Sequence, residues 1–63
     1  MKKIKKIKSW GIFQNASKEV EEYGFNFTVL HPDNMEYRNL CTPADTDIEL
    51  DTLEDAIDWV RNY

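Results

Sequence analysis

The fold this sequence predicts is a small α+β domain: an antiparallel sheet of three strands, with a fourth available, and one C-terminal amphipathic helix packed on one face. Three observations predict it. Residues 25–30 alternate Phe25, Phe27 and Val29 with Asn26 and Thr28, the two-residue period of a half-buried strand in residue types that favour one. Leu53, Ala56, Ile57 and Val60 recur at helical spacing behind Thr52, which makes a capped apolar stripe. A chain of 63 residues that is 41% hydrophobic has room for a single core and no more, so one domain over 1–63 is expected.

In chain order, Ile4 to Phe13 carries Ile4, Trp10 and Ile12 at even positions with lysines and Ser9 interleaved. This suits a strand whose first half is exposed or at a sheet edge, where lysines discourage unwanted pairing. Asn15 to Tyr23 places Ala16, Val20 and Tyr23 at i, i+4 and i+7, with Asn15 or Ser17 able to cap and Gly24 at the C′ position. A short helix or helical turn between the first two strands follows. Residues 25–30 are placed as the central strand. His31-Pro32-Asp33-Asn34 reads as a type I turn with Pro32 presetting φ, leading to a return strand Met35 to Cys41 with Tyr37 inward, ended by Pro43.

Thr46 to Asp51 sends Asp47, Glu49 and Asp51 to one side and Ile48 and Leu50 to the other, as a short strand or an extended loop. Thr52-Leu53-Glu54-Asp55 then resembles a capping box with Asp55 in the usual Glu place, opening a helix from Leu53 to about Asn62. Its early acids and late Arg61 suit the helix dipole. The expected core is Trp10, Ile12, Phe25, Phe27, Val29, Tyr37, Ile48, Leu50, Leu53, Ile57 and Val60. A single covering helix leaves the opposite sheet face bare. Phe13, Tyr23, Trp59 and Tyr63 cannot all enter so small a core, and that face is where a partner or second copy would dock.

The lone Cys41 cannot form an internal disulfide, which points to a reducing, cytoplasmic setting. The lysine-rich start resembles the charged end of a signal peptide, but the apolar run after it spans only Trp10 to Phe13, short of the roughly 7 to 15 residues required. No apolar stretch approaches the roughly 20 residues of a membrane span. Asn15-Ala16-Ser17 and Asn26-Phe27-Thr28 match the glycosylation tripeptide, but without a secretory signal both are chance matches.

Net charge is −4, and it is unevenly spread. Lys2, Lys3, Lys5, Lys6 and Lys8 open the chain, whereas Asp45, Asp47, Glu49, Asp51, Glu54, Asp55 and Asp58 crowd its last third. Four carboxylates two residues apart suggest calcium, but a loop begun at Asp45 has Leu50 in the required Gly position, and one begun at Asp47 has Thr52 there. No metal ligands and no cofactor are assigned. Acid–base work by paired carboxylates needs a cleft that perturbs one of them, and no part of the sequence supplies one. A Cys–His nucleophile from Cys41 and His31 lacks an orienting third group and an oxyanion site. No catalytic residue is named, and the chain is not expected to be an enzyme.

Three function classes remain. The favoured one is a protein-interaction module of the small inhibitor type that bacteriophages and mobile elements encode, docking through the bare sheet face and an acidic edge of Asp45, Asp47, Glu49, Asp51, Glu54, Asp55, Asp58 and Trp59. The same acids could mimic nucleic acid toward a basic groove. The second is nucleic-acid binding by Lys2, Lys3, Lys5, Lys6 and Lys8 with Trp10 stacking on a base. The third is a homodimer in which the basic strand of one copy meets the acidic strand of the other around a two-fold axis.

Overall fold

Lys8 and Ser9 set the topology. The computed structural model, which describes residues 1–46 and 48–63, gives them φ of 50° and 68°. Two consecutive left-handed residues are what a two-residue type I′ hairpin loop demands. The chain therefore reverses there. The expected single strand from Ile4 to Phe13 is instead a hairpin of β1 (Lys2–Ile7) and β2 (Trp10–Gln14), with Ile7 opposite Trp10 and a register shift between Lys3 and Lys5. The Lys-Ser loop lacks the Asn or Gly that usually marks such turns, so alternation alone ran through it.

Helix α1 (Ser17–Tyr23) follows as expected and stops at Gly24, whose φ of 88° suits a residue without Cβ and whose amide donates to the Val20 carbonyl at 2.8 Å. Neither Asn15 nor Ser17 caps it. Ala16 holds the N-cap position, and its amide donates to the Glu19 carboxylate at 2.8 Å. Strand β3 (Phe27–Leu30) pairs antiparallel with β2, giving the order β1-β2-β3. The central strand is thus β2, and the 25–30 segment supplies an edge.

After β3 the chain turns helical, so the expected return strand Met35 to Cys41 does not form. His31 Nδ1 accepts from the Asp33 amide at 3.0 Å, and Pro32 occupies the first position of α2 (Pro32–Met35). A side-chain acceptor followed by Pro is a helix start as well as a turn signal. Two 3-10 turns, Arg38–Leu40 and Pro43–Asp45, continue the segment, and Tyr37 is 57% exposed rather than inward. Thr46 and Leu50 then lie against β3, and Leu50 contributes one bridge, to Phe27. Leu50 O accepts from the Asn26 and Phe27 amides at 3.1 and 3.0 Å, while the Thr46 hydroxyl sits 3.4 Å from Val29 N and 3.0 Å from Val29 O.

The sheet buries both faces. On the first, Trp10, Ile12, Val29 and Leu50 meet Ala56 and Val60 of α3 (Leu53–Arg61), with Ile7, Phe27, Ile48, Ile57 and Trp59 around them. Each of the larger side chains here contributes about 1.5–3 kcal/mol on full burial, and the Ala56 methyl less. Leu53, expected inside, lies at the rim, and the Thr52 hydroxyl caps the helix by accepting from the Asp55 amide at 3.1 Å. The second face carries Gly11, Phe13, Thr28 and Leu30, all buried. Met35 lies over Gly11 so closely that a Cβ there would stand 2.3 Å from its sulfur. The face expected to be bare is covered by the helical 31–45 segment. Beside it, Thr28 Oγ1 donates to Asn15 Oδ1 at 2.8 Å and Asn15 Nδ2 donates to Phe25 O at 3.1 Å, so these buried polar groups satisfy one another.

Candidate functional site

The acids named from sequence are separated by the fold. Asp45 is tied into the turn before it: its carboxylate accepts from the Thr42 amide at 2.6 Å, and the Thr42 hydroxyl accepts from the Ala44 amide. Glu49 borders a small hollow with Tyr23, Phe25 and Pro43. Asp51 is exposed, and its carbonyl accepts from Asn26 Nδ2 at 3.0 Å, pinning the approach to α3. Glu54 is exposed on the first turn of α3. Asp47 lies outside the described residues.

Asp55, Asp58 and Trp59 do come together. With Leu50, Asn62 and Tyr63 they border a shallow recess of about 490 Å³. Helical spacing explains it, since residues 55, 58, 59 and 62 lie on one face of a helix. Asp55 does not complete the expected box by reaching back to the Thr52 amide, and the residue borders the recess. Asn62 Nδ2 donates to the Asp58 carbonyl at 2.8 Å, closing the end of the helix. Tyr63 is expected from the sequence only as a surplus aromatic for the bare sheet face, not beside these acids, and Asn62 carries no sequence expectation beyond the end of the helix. Their place at the recess follows from the same helical face, three and four residues past Trp59.

Behind the recess stands an aromatic cluster. Trp10 is 5% exposed, and edge contacts join it to His31, Trp59 and Tyr63 at centroid distances of 4.9, 5.2 and 4.7 Å. Trp59 and Tyr63 are themselves 5.3 Å apart. Edge-to-face geometry places positive ring edges against negative faces, which favours this arrangement of the rings. Burial also removes Trp10 from the nucleic-acid reading: its ring cannot stack on a base.

The lysines remain outside. Lys2, Lys3, Lys5 and Lys6 are exposed along β1. Lys8 is engaged, its Nζ donating to the Arg61 carbonyl at 3.0 Å, where a cation complements the negative end of α3. At the other end of the sheet the Met1 ammonium lies 2.7 Å from Glu19 Oε1. That ammonium, together with the Ala16 amide, holds the Glu19 carboxyl below its ordinary range.

Cys41 and His31 are held by different partners. The Cys41 thiol faces the Asn34 carbonyl, and burial, with Asp45 nearby, raises its pKa, which favours the unreactive protonated form. Among the described residues no group of three or more His, Cys, Asp or Glu side chains is placed to hold a metal ion, and no helix is long and apolar enough to cross a membrane. In comparisons with known proteins, no family model matches the chain, and no curated protein or solved structure is significantly similar to it.

Proposed function

We propose that this chain is a protein-interaction module that docks through the recess on α3, receiving an arginine or lysine side chain from a larger partner. One observation carries the reading: Asp55, Asp58, Trp59 and Tyr63 border the same hollow. A guanidinium suits such a lining, because it stacks on an aromatic face while its N–H groups reach carboxylates. Arginine is also among the residues that carry most binding energy at protein interfaces. Occupying a basic surface in this way is how an inhibitor of this size would act. The reading assigns the recess no catalytic step, and a cytoplasmic setting goes with the single free thiol.

The test is a titration with acetyl-arginine amide followed through the Trp59 indole N–H by NMR. The resonance is expected to shift together with the α3 amides from Asp55 to Asn62, and Asp58→Asn should weaken the response while leaving the circular dichroism unchanged. A response equal in Asp58→Asn, or one spread evenly over the lysine strand and α3, rejects the recess as the docking point. Acetyl-glutamate amide binding at the same place would reject the charge argument.

A further inference from the structure

We infer that the outer edge of β1 accepts an extended, acidic segment of a partner protein as an added strand, a second docking surface independent of the α3 recess. A sheet ordered β1-β2-β3 has two edges, and they differ. The β3 edge is occupied: Leu50 O takes the Asn26 and Phe27 amides, and the Thr46 hydroxyl fills the gap at Val29. Among the described residues nothing pairs with the outer side of β1. Its outward backbone groups are a template for another strand.

The chemistry of the occupant follows from the side chains that flank that edge. Lys2, Lys3, Lys5 and Lys6 are exposed and make no ion pair among the described residues. Lys3 lies opposite Phe13 and Lys6 opposite Gly11, both on the second face of the sheet, whereas Lys5 lies opposite Ile12 on the α3 face. The irregularity at Ile4 sets this change of phase. Lys3 also borders a hollow of about 300 Å³ with Arg38 and Asn39, which adds a further cation on the second face. An added strand sends its side chains alternately to both faces, so acids on either face meet ammonium groups.

A second copy of β1 would set lysine against lysine, which is destabilising. Nor can a two-fold dimer join β1 to the strand edge beside Leu50 on both sides at once, because the two lie at opposite edges of one open sheet. Nucleic acid would meet charge alone, since Trp10 is buried. The same lysines repel a basic strand and would have to be desolvated against a neutral one, which leaves an acidic strand favoured, a selection by charge.

The probe is the acetylated, amidated octapeptide of alternating Glu and Val, compared with an analogue N-methylated at its four central residues. The analogue keeps the charges and loses the ladder. The Glu-Val peptide is expected to shift and protect the β1 amides, with affinity falling steeply between about 20 and about 150 mM salt. N-methylation should weaken it at least about tenfold, or roughly 1.4 kcal/mol. Lys2→Gln/Lys3→Gln/Lys5→Gln/Lys6→Gln, checked for fold by circular dichroism, should lose the interaction. Equal binding of the N-methylated analogue overturns strand addition. So does no binding at low salt, tighter binding of a single-stranded DNA oligonucleotide to the same lysines, or a dimer mass by light scattering in the absence of peptide.

Discussion

Replacing Gly11 with Ala would place a Cβ 2.3 Å from Met35 Sδ, 2.7 Å from Met35 Cε and 2.7 Å from Phe13 Cε1. All three fall well inside the roughly 3.5–4.0 Å at which carbon atoms attract. The Met35 thioether can swing aside at the cost of its own packing, whereas Phe13 is buried and has little room to move. Overpacking of this kind costs about 1–3 kcal/mol. Replacing a strand glycine returns roughly 0.5–1 kcal/mol of backbone entropy. The net expectation is a loss of about 1 kcal/mol, or a Tm lower by about 4–8 °C in a domain of this size. In a Met35→Ala background two of the three close contacts disappear, so the same Gly11→Ala change should cost much less there. Thermal and urea unfolding of the four proteins forms a double-mutant cycle that measures the difference. Equal costs in both backgrounds would refute the seating of Met35 on Gly11, and with it the covered second face.

Three further outcomes follow from the same structure. Ser9→Gly should stabilise the hairpin by about 1 kcal/mol, because Ser9 sits at φ 68° where an L side chain is strained, and urea unfolding reads the gain. Thr28→Val should cost about 1–3 kcal/mol by leaving buried Asn15 Oδ1 without its donor; a midpoint unchanged in urea would contradict the buried pair. The folded-state pKa of Glu19 lies below its ordinary value, so its stabilisation is complete above the ordinary carboxylate pKa and is lost as pH falls through the lowered one. Glu19→Gln should therefore lower the urea midpoint at neutral pH and converge with the parent chain in acid. A gap that widens on acidification would reverse that assignment.

How much of this was legible follows from where the signals lie. Helix α3 could be read because Thr52 and the apolar stripe agree, and α1 because Gly24 marks its end. Both are local patterns. The hairpin loop was missed because Lys8-Ser9 contains neither Gly nor Asn, and only the paired strands force those residues to positive φ. The 31–41 segment departs from the expected strand for a different reason. His31-Pro32-Asp33 fits a turn and a helix start equally well, and the choice is made by Met35 reaching Gly11 on another strand. For the candidate site, helical spacing makes Asp55, Asp58 and Trp59 legible together, whereas the packing of Tyr63 on Trp59 and Trp10 depends on the tertiary fold.

The aromatic cluster bears on the order in which the chain folds. Trp10 leaves a hairpin whose own contacts are local, so β1 and β2 can meet without closing a long loop. Its ring neighbours His31, Trp59 and Tyr63 come from the middle and far end of the chain. They reach it only after the intervening segments are drawn in, at a loop-closure cost that local pairing avoids. Both indoles of the chain, Trp10 and Trp59, sit in this cluster, so a stopped-flow fluorescence trace is expected to follow the docking of α3 on the hairpin more than the reversal at Lys8-Ser9.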